Sequence, residues 1–290
     1  MIAMTSNNLN PIEIYPQIFV YKNLFKDIEN TYRILRESEG DDLLSPWTKW
    51  SHFGQYLYPT FKDYHHGISI ESVESIETKT EKEEEQRLAI LELLHIFYKA
   101  TEDYAIRTGV NIDKEKYITD QYGNQVFEWR RVGPSIARYR TDIDDPIAMT
   151  YHSDYIRQPI KSPDHKFVIT ALAYFNDDYE GGEIDFIVSG EAFMYKPEAG
   201  DFLIFPSGHP EILTKDGSVY IHGVMPPTGE ANKYISRMYW MKYEDGEPLW
   251  FEKEKEFGKE VWAEMQEDIM QKFRDDNPNK ISSEKERRVS

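Results

Sequence analysis

A mainly β fold flanked by helices, of the α+β type, is predicted by three observations on this chain. From about residue 125 onward, short apolar or alternating runs recur, each closed by Gly, Pro, Asn or Asp, the texture of a sandwich, jelly roll or barrel. One of those runs, FVITALAYF, is apolar throughout, as a strand covered on both faces must be. Outside this region the apolar residues recur at helical spacing instead, over 83–107 and again after Trp250.

Taken in order, PIEIYPQIFVYKNLF (11–25) mixes β-branched and aromatic residues with two prolines, which predicts a short edge strand. FKDIENTYRILRES follows as a helix with Ile28, Tyr32 and Leu35 on one face. SPWTKWSHFGQYLYPTFKDYHHG (45–67) reads as an aromatic loop, packed over the core or bordering a site. ESVESIETKTEK is expected to be an exposed polar connection. In EEEQRLAILELLHIFYKATEDYAIR (83–107), Leu88, Leu91, Leu94, Phe97 and Tyr98 mark a buried helical face. Acidic residues crowd its N-terminal end, where the helix dipole favours them, and His95 is read as a core or boundary histidine.

The predicted strands then lie in FEWRRV, SIARYR, AMTYHSDY, FVITALAYFN, GGEIDFIVSG, EAFMYKP, GDFLIFP, SVYIHGV and KYISRMYWMKY. GEIDFIV alternates and suits a half-buried strand. EKEFGKEVWAEMQEDIMQKF returns to helix, and RDDNPNKISSEKERRVS has the composition of a disordered tail. The expected organisation is one domain over 11–273: a helical N-terminal part (about 11–124), a β core (about 125–245) and a C-terminal helix (about 252–273), with a tail over 274–290.

Composition narrows the function classes. The 290 residues include no cysteine, which excludes disulfides, thiolate metal sites and a Cys nucleophile and fits a cytoplasmic setting. The net charge of −18 argues against a nucleic-acid partner, because phosphate binding draws on Lys and Arg clusters. No apolar run is long enough for a membrane span, and MIAMTSNNLNPIEIYP lacks the basic flank and apolar core of a secretory signal.

The chemistry is carried by TYHSDY (150–155). In a strand, His152 and Asp154 share a face, with Tyr151, Ser153 and Tyr155 on the other. Two adjacent ligands from one strand and a third from a distant strand make a 2-His-1-carboxylate triad with open positions. Chance supplies one or two His-x-acid triplets in a chain this acidic, so context must choose between them. The other triplet, His209-Pro210-Glu211, follows FPSG and contains a proline, which disfavours a ladder position. His222, inside the β-prone VYIHGV, is better built than His209 to supply the third ligand.

From ARYR (137–140) to RMYW (237–240), the chain resembles the catalytic core of Fe(II)/2-oxoglutarate dioxygenases, and among them the prolyl 4-hydroxylases. The likeness rests on an ordered set: a Tyr-bearing strand, His-x-Asp, TALAYFNDDYEGGEIDF, KPEAGDFLIFPS and HGVMPPTGEANKY. It implies a double-stranded β-helix (jelly roll, cupin-like) core and makes His152, Asp154 and His222 the iron ligands. It implies Fe(II), 2-oxoglutarate as cosubstrate and O2, and admits ascorbate as an accessory reductant.

Lys233, eleven positions after His222, falls where the family pairs a basic residue with the distal carboxylate of 2-oxoglutarate. Arg237 shares its strand face and is the second candidate for that role. Tyr174 and Tyr139 match tyrosines that line the cosubstrate pocket. The implied reaction is hydroxylation of a C–H bond, most readily of a prolyl residue or a proline-like or small amino-acid substrate, with release of succinate and CO2. The expected partner is a peptide or small molecule, with neither nucleic acid nor membrane, and the oligomeric state is left open. The departures from the family pattern are the long stretch GHPEILTKDGSVY, the acidic TDIDDP and one extra residue in MPPTGEANK. The competing readings are a non-catalytic cupin-like metal or small-molecule binding module and an acidic interaction protein using its terminal helices.

Overall fold

The computed structural model describes residues 9–37, 48–49, 56–59, 70–119, 123, 125–141, 149–154, 167–207 and 220–243. Most of the aromatic 45–67 stretch, the TDIDDP segment beyond Thr141, the His209 triplet, and the C-terminal helix and tail lie outside the described residues.

Chain order begins with β1 (Ile12–Tyr15), β2 (Ile18–Tyr21), α1 (Ile28–Glu37), β3 (Thr48–Lys49) and β4 (Tyr56–Pro59). Helices α2 (Ile70–Glu74) and α3 (Glu81–Thr108) precede a hairpin of β5 (Tyr117–Thr119) and β6 (Gln125–Phe127). Then come β7 (Trp129–Tyr139), β8 (Met149–His152), β9 (Phe167–Tyr174), β10 (Glu180–Gly181) and β11 (Ile184–Val188). The order closes with β12 (Glu191–Tyr195), β13 (Phe202–Pro206), β14 (Ile221–Val224), β15 (Pro227–Thr228) and β16 (Lys233–Lys242).

Eight strands form a major sheet, in the order β1-β2-β13-β9-β16-β7-β4-β3, and four form a minor sheet, β12-β11-β14-β8. Alternation along the central strands explains why their sequences are apolar on both faces. One face of the major sheet, with Tyr21, Ala171, Ala173, Phe202, Ile204, Tyr234 and Met238, meets α1 and α3 in one core. The opposite face, with Val20, Tyr139, Leu172, Tyr174, Leu203, Phe205 and Ile235, meets Ile184, Phe186, Val188 and Val224 of the minor sheet. Two facing sheets with side chains between them make the double-stranded β-helix that the family likeness implied.

Helix α3 begins with a capping box, in which the Thr80 hydroxyl accepts from the Glu83 amide while Glu83 reaches back. It ends at Gly109 in the left-handed conformation. Its buried face is Ile90, Leu93, Leu94, Phe97, Ala100 and Tyr104, and Phe97 meets Phe202 edge-on with centroids 4.7 Å apart. Burying such a ring contributes about 1.5–3 kcal/mol.

Several expectations are corrected. Leu88 and His95 lie on the exposed side of α3, because the buried stripe follows Ile90, Leu94 and Phe97. The polar connection before α3 holds the short helix α2, pinned by fully buried Val73. The predicted single edge strand is a hairpin: β1 is the edge, and β2 lies inside between β1 and β13. FEWRRV and SIARYR contribute to one long strand, β7. The N-terminal part is therefore mixed, supplying β1 to β4 to the major sheet. Phe97→Ala is expected to cost about 3–5 kcal/mol in chemical denaturation, because it empties the contact between α3 and the sheet.

Candidate metal centre

Strands β8 and β14 pair with His152 directly opposite His222, so the two imidazoles rise from the same face with centroids 4.4 Å apart. Strand β8 ends at His152, and Asp154 follows just beyond it, turned to the same side. Asp154 Oδ1 lies 3.4 Å from His152 Nε2, and Oδ2 lies 3.6 Å from His222 Nε2. One ligand atom from each of the three residues lies within 4.8 Å of the others. Two imidazoles and a carboxylate are the donor set of a facial triad. Metal bonds of about 2.1 Å put adjacent donors about 3 Å apart, so the cluster fits a divalent ion with slight contraction.

Electrostatics favour the ligating forms. Burial alone would raise the Asp154 pKa, but His222, His152 and the Thr170 hydroxyl outweigh it and hold the carboxyl well below the usual range. Burial, aided by His152 and opposed by Asp154, pushes His222 down to about 4. The ring is thus neutral at pH 7, as a ligand must be.

Sequence reasoning missed the groups behind these three. Thr170 of β9 donates to Asp154 Oδ2 at 2.6 Å, its oxygen lies 2.6 Å from Ser207 Oγ, and Ser153 donates to the Ser207 carbonyl at 2.8 Å. Strand alternation offered the one available signal, since Thr170 shares its face with Leu172 and Tyr174. Phe205 packs edge-on against His222 at 4.8 Å, and Phe186 lies 6.0 Å away.

A second polar feature occupies the same interior. Lys233 opens β16 opposite Tyr139 and is 1% exposed, with Nζ donating to the Gly182 carbonyl at 2.7 Å. Its Nζ stands 5.4 Å from the Tyr139 ring, 5.2 Å from Tyr174 and 5.7 Å from Tyr179. Burial, and then the charge of Lys196, push Lys233 down to about 7, against the pull of Glu183. Tyr179 was not anticipated; its hydroxyl is buried and finds no partner among the described residues. Gly182 is at φ +68, and a Cβ there would fall 2.7 Å from the Tyr179 ring, so the second glycine of EGGE is what lets this cradle form. Arg237 is buried on the same face of β16, opposite Ser135 and Leu172, two alternations further along the strand.

The family model described as "2OG-Fe(II) oxygenase superfamily" matches residues 135–242. Similar solved structures include the Arabidopsis thaliana dioxygenase for auxin oxidation with 2-oxoglutarate, 10% identical, covering 80% of this chain and 86% of that one, with a TM-score of 0.50. A Trichoplax adhaerens prolyl hydroxylase in complex with a hypoxia inducible factor peptide is 14% identical, covering 78% and 84%, with a TM-score of 0.47. The viral collagen prolyl hydroxylase of Paramecium Bursaria Chlorella virus-1 is 14% identical, covering 79% and 97%, with a TM-score of 0.46. No curated protein sequence matches the chain. The family-model match takes in β8, β14 and the start of β16, and with them His152, Asp154, His222 and Lys233. Among the described residues no helix is long and apolar enough to cross a membrane.

Thr170→Val keeps the shape at β9 but withdraws a donor from Asp154. Mn(II) affinity, followed by the free-ion paramagnetic signal, is expected to fall by about 10- to 100-fold.

Proposed function

We propose that His152, Asp154 and His222 hold ferrous iron, that Lys233 seats 2-oxoglutarate, and that the enzyme hydroxylates a prolyl residue or a proline-like or small amino-acid substrate, releasing succinate and CO2. The observation that carries this reading is the pairing, in one interior between two sheets, of a compact His-Asp-His cluster with a buried lysine. Iron, when bound, supplies the coupling of cosubstrate decarboxylation to O2 activation.

The chain's own residues do the rest. The Lys233 ammonium faces the distal carboxylate of the cosubstrate, and the Tyr174, Tyr139 and Tyr179 rings line the pocket around it. Lys233 is favoured over Arg237 because its cradle is made: a carbonyl acceptor, three rings and a glycine turn shaped around them. Phe186 and Phe205 wall the His222 side and exclude water from the reacting centre. The prolyl or small amino-acid substrate is inferred from the likeness of the YFND, GGEIDF and AGDFLIFPS blocks to prolyl hydroxylases.

The test is release of CO2 from labelled 2-oxoglutarate with Fe(II), ascorbate and a panel of prolyl peptides and free amino acids. Turnover is expected in the wild type and its loss in His152→Ala and Asp154→Ala. Binding of iron and 2-oxoglutarate with no turnover on any substrate would favour the binding-module reading instead.

Lys233→Met is expected to raise the KM for 2-oxoglutarate by roughly 10- to 100-fold, the worth of a charge-assisted hydrogen bond. The depressed pKa of Lys233 also sets a pH dependence. Below about 7 the lysine is already charged and affinity for the dianion is level. Above that, binding must take up a proton, and affinity falls by about tenfold per pH unit. Calorimetry at saturating metal, in buffers of different ionisation enthalpy, reads that proton directly.

A further inference from the structure

The two histidines are not held alike. His222 sits in β14, which is laddered to β11 on one side and to β8 on the other. His152 sits in β8, the four-residue outermost strand of the minor sheet, which ladders only with β14 among the described residues. That ladder is irregular between His222 and Val224. The separation of the imidazoles therefore depends on whatever else fixes β8.

One such tie is a side-chain bond that skips a strand. The Tyr151 hydroxyl donates to Asp185 Oδ2. Asp185 belongs to β11, and its partner on the intervening strand β14 is Gly223. The bond thus crosses over a residue with no side chain to obstruct it. Adjacent strands lie about 4.8 Å apart, so β8 and β11 are separated by about 9.6 Å, a span for a long side chain meeting a short one. Phe186 faces the interior with His222, so Asp185, one residue earlier, faces outward, as does Tyr151 beside His152. Asp185 is 2% exposed, so its bond to the phenol is shielded from water.

We propose that Tyr151 and Asp185 are a positioning pair for the metal centre: they clamp the edge strand that carries His152 onto β11, across the strand that carries His222, and so set the spacing of the two imidazoles. The proposal rests on the metal-binding reading of His152, Asp154 and His222. Nothing in a packing role alone requires a phenol here, whereas a fixed distance between ligands on two strands does.

The test compares Tyr151→Phe and Asp185→Asn in the full chain with Tyr15→Phe as control. Tyr15 also loses a carboxylate partner, Glu191 at 3.1 Å, but between β1 and β12, strands that carry none of the three candidate ligands. Two properties are measured: anaerobic Co(II) titration by visible absorption, and the melting midpoint in chelator. Tyr151→Phe is expected to weaken Co(II) binding by about 10- to 100-fold and to alter the shape of the Co(II) bands, with a chelator midpoint close to that of Tyr15→Phe. Asp185→Asn retains an oxygen acceptor and should fall between wild type and Tyr151→Phe. Wild-type affinity and spectrum in Tyr151→Phe would overturn the proposal. So would an affinity loss that only follows a lowered metal-free midpoint. If Tyr151→Phe does not fold, Asp185→Asn decides by the same two readings. A wild-type chain that binds no Co(II) overturns the metal reading itself, an outcome distinct from equal binding by all variants.

Discussion

The pairing of β8 with β14 is the constraint on which the site depends. It sets His152 opposite His222, and the two residues after His152 carry Asp154 back toward both rings. Slipping that ladder by one residue would turn one imidazole outward. The arrangement is stiffened from the major sheet, where Thr170 reaches across to Asp154 and Ser207 closes the network. His152 and His222 come from the minor sheet, and the support from Thr170 and Ser207 comes from the major one. The facing of the two sheets is therefore as much a part of the centre as the residues themselves.

Burial decides the electrostatics at both ends of the interior. Around Asp154, a buried carboxylate is kept ionised by two imidazoles and a threonine hydroxyl. At the other end, a buried ammonium has a carbonyl and three aromatic rings for company and no carboxylate hydrogen-bonded to it among the described residues. Burial of a charge so weakly compensated is costly, and its pKa falls accordingly. A dicarboxylate reaching from metal to lysine would satisfy both ends, which is why the two features are read together.

Much of this was legible in the sequence. The apolar FVITALAYF announced a strand covered on both faces, and the ordered blocks from ARYR to RMYW singled out His152, Asp154, His222, Lys233, Tyr174 and Tyr139, which the fold brings into one interior. What escaped were groups whose meaning depends on distant neighbours. Thr170 is an ordinary β-branched residue until Asp154 is beside it, and Tyr179 becomes part of the lysine cradle only because Gly182 turns the chain beneath it. His95 and Leu88 failed for a different reason. Helical spacing gave the period of α3, but its phase was fixed by Phe97 docking on Phe202. The single edge strand read at the N-terminus was a hairpin because Pro16 and Gln17 form its turn, Gln17 with positive φ, a backbone feature invisible to composition.

We infer that one interior binds iron and 2-oxoglutarate together through these residues. It is tested most directly by adding Fe(II) and then 2-oxoglutarate under anaerobic conditions while recording the visible spectrum. The expected result is a charge-transfer band that needs both additions and is absent from Asp154→Ala. A wild-type protein that stays colourless with both present, while remaining folded, would contradict it.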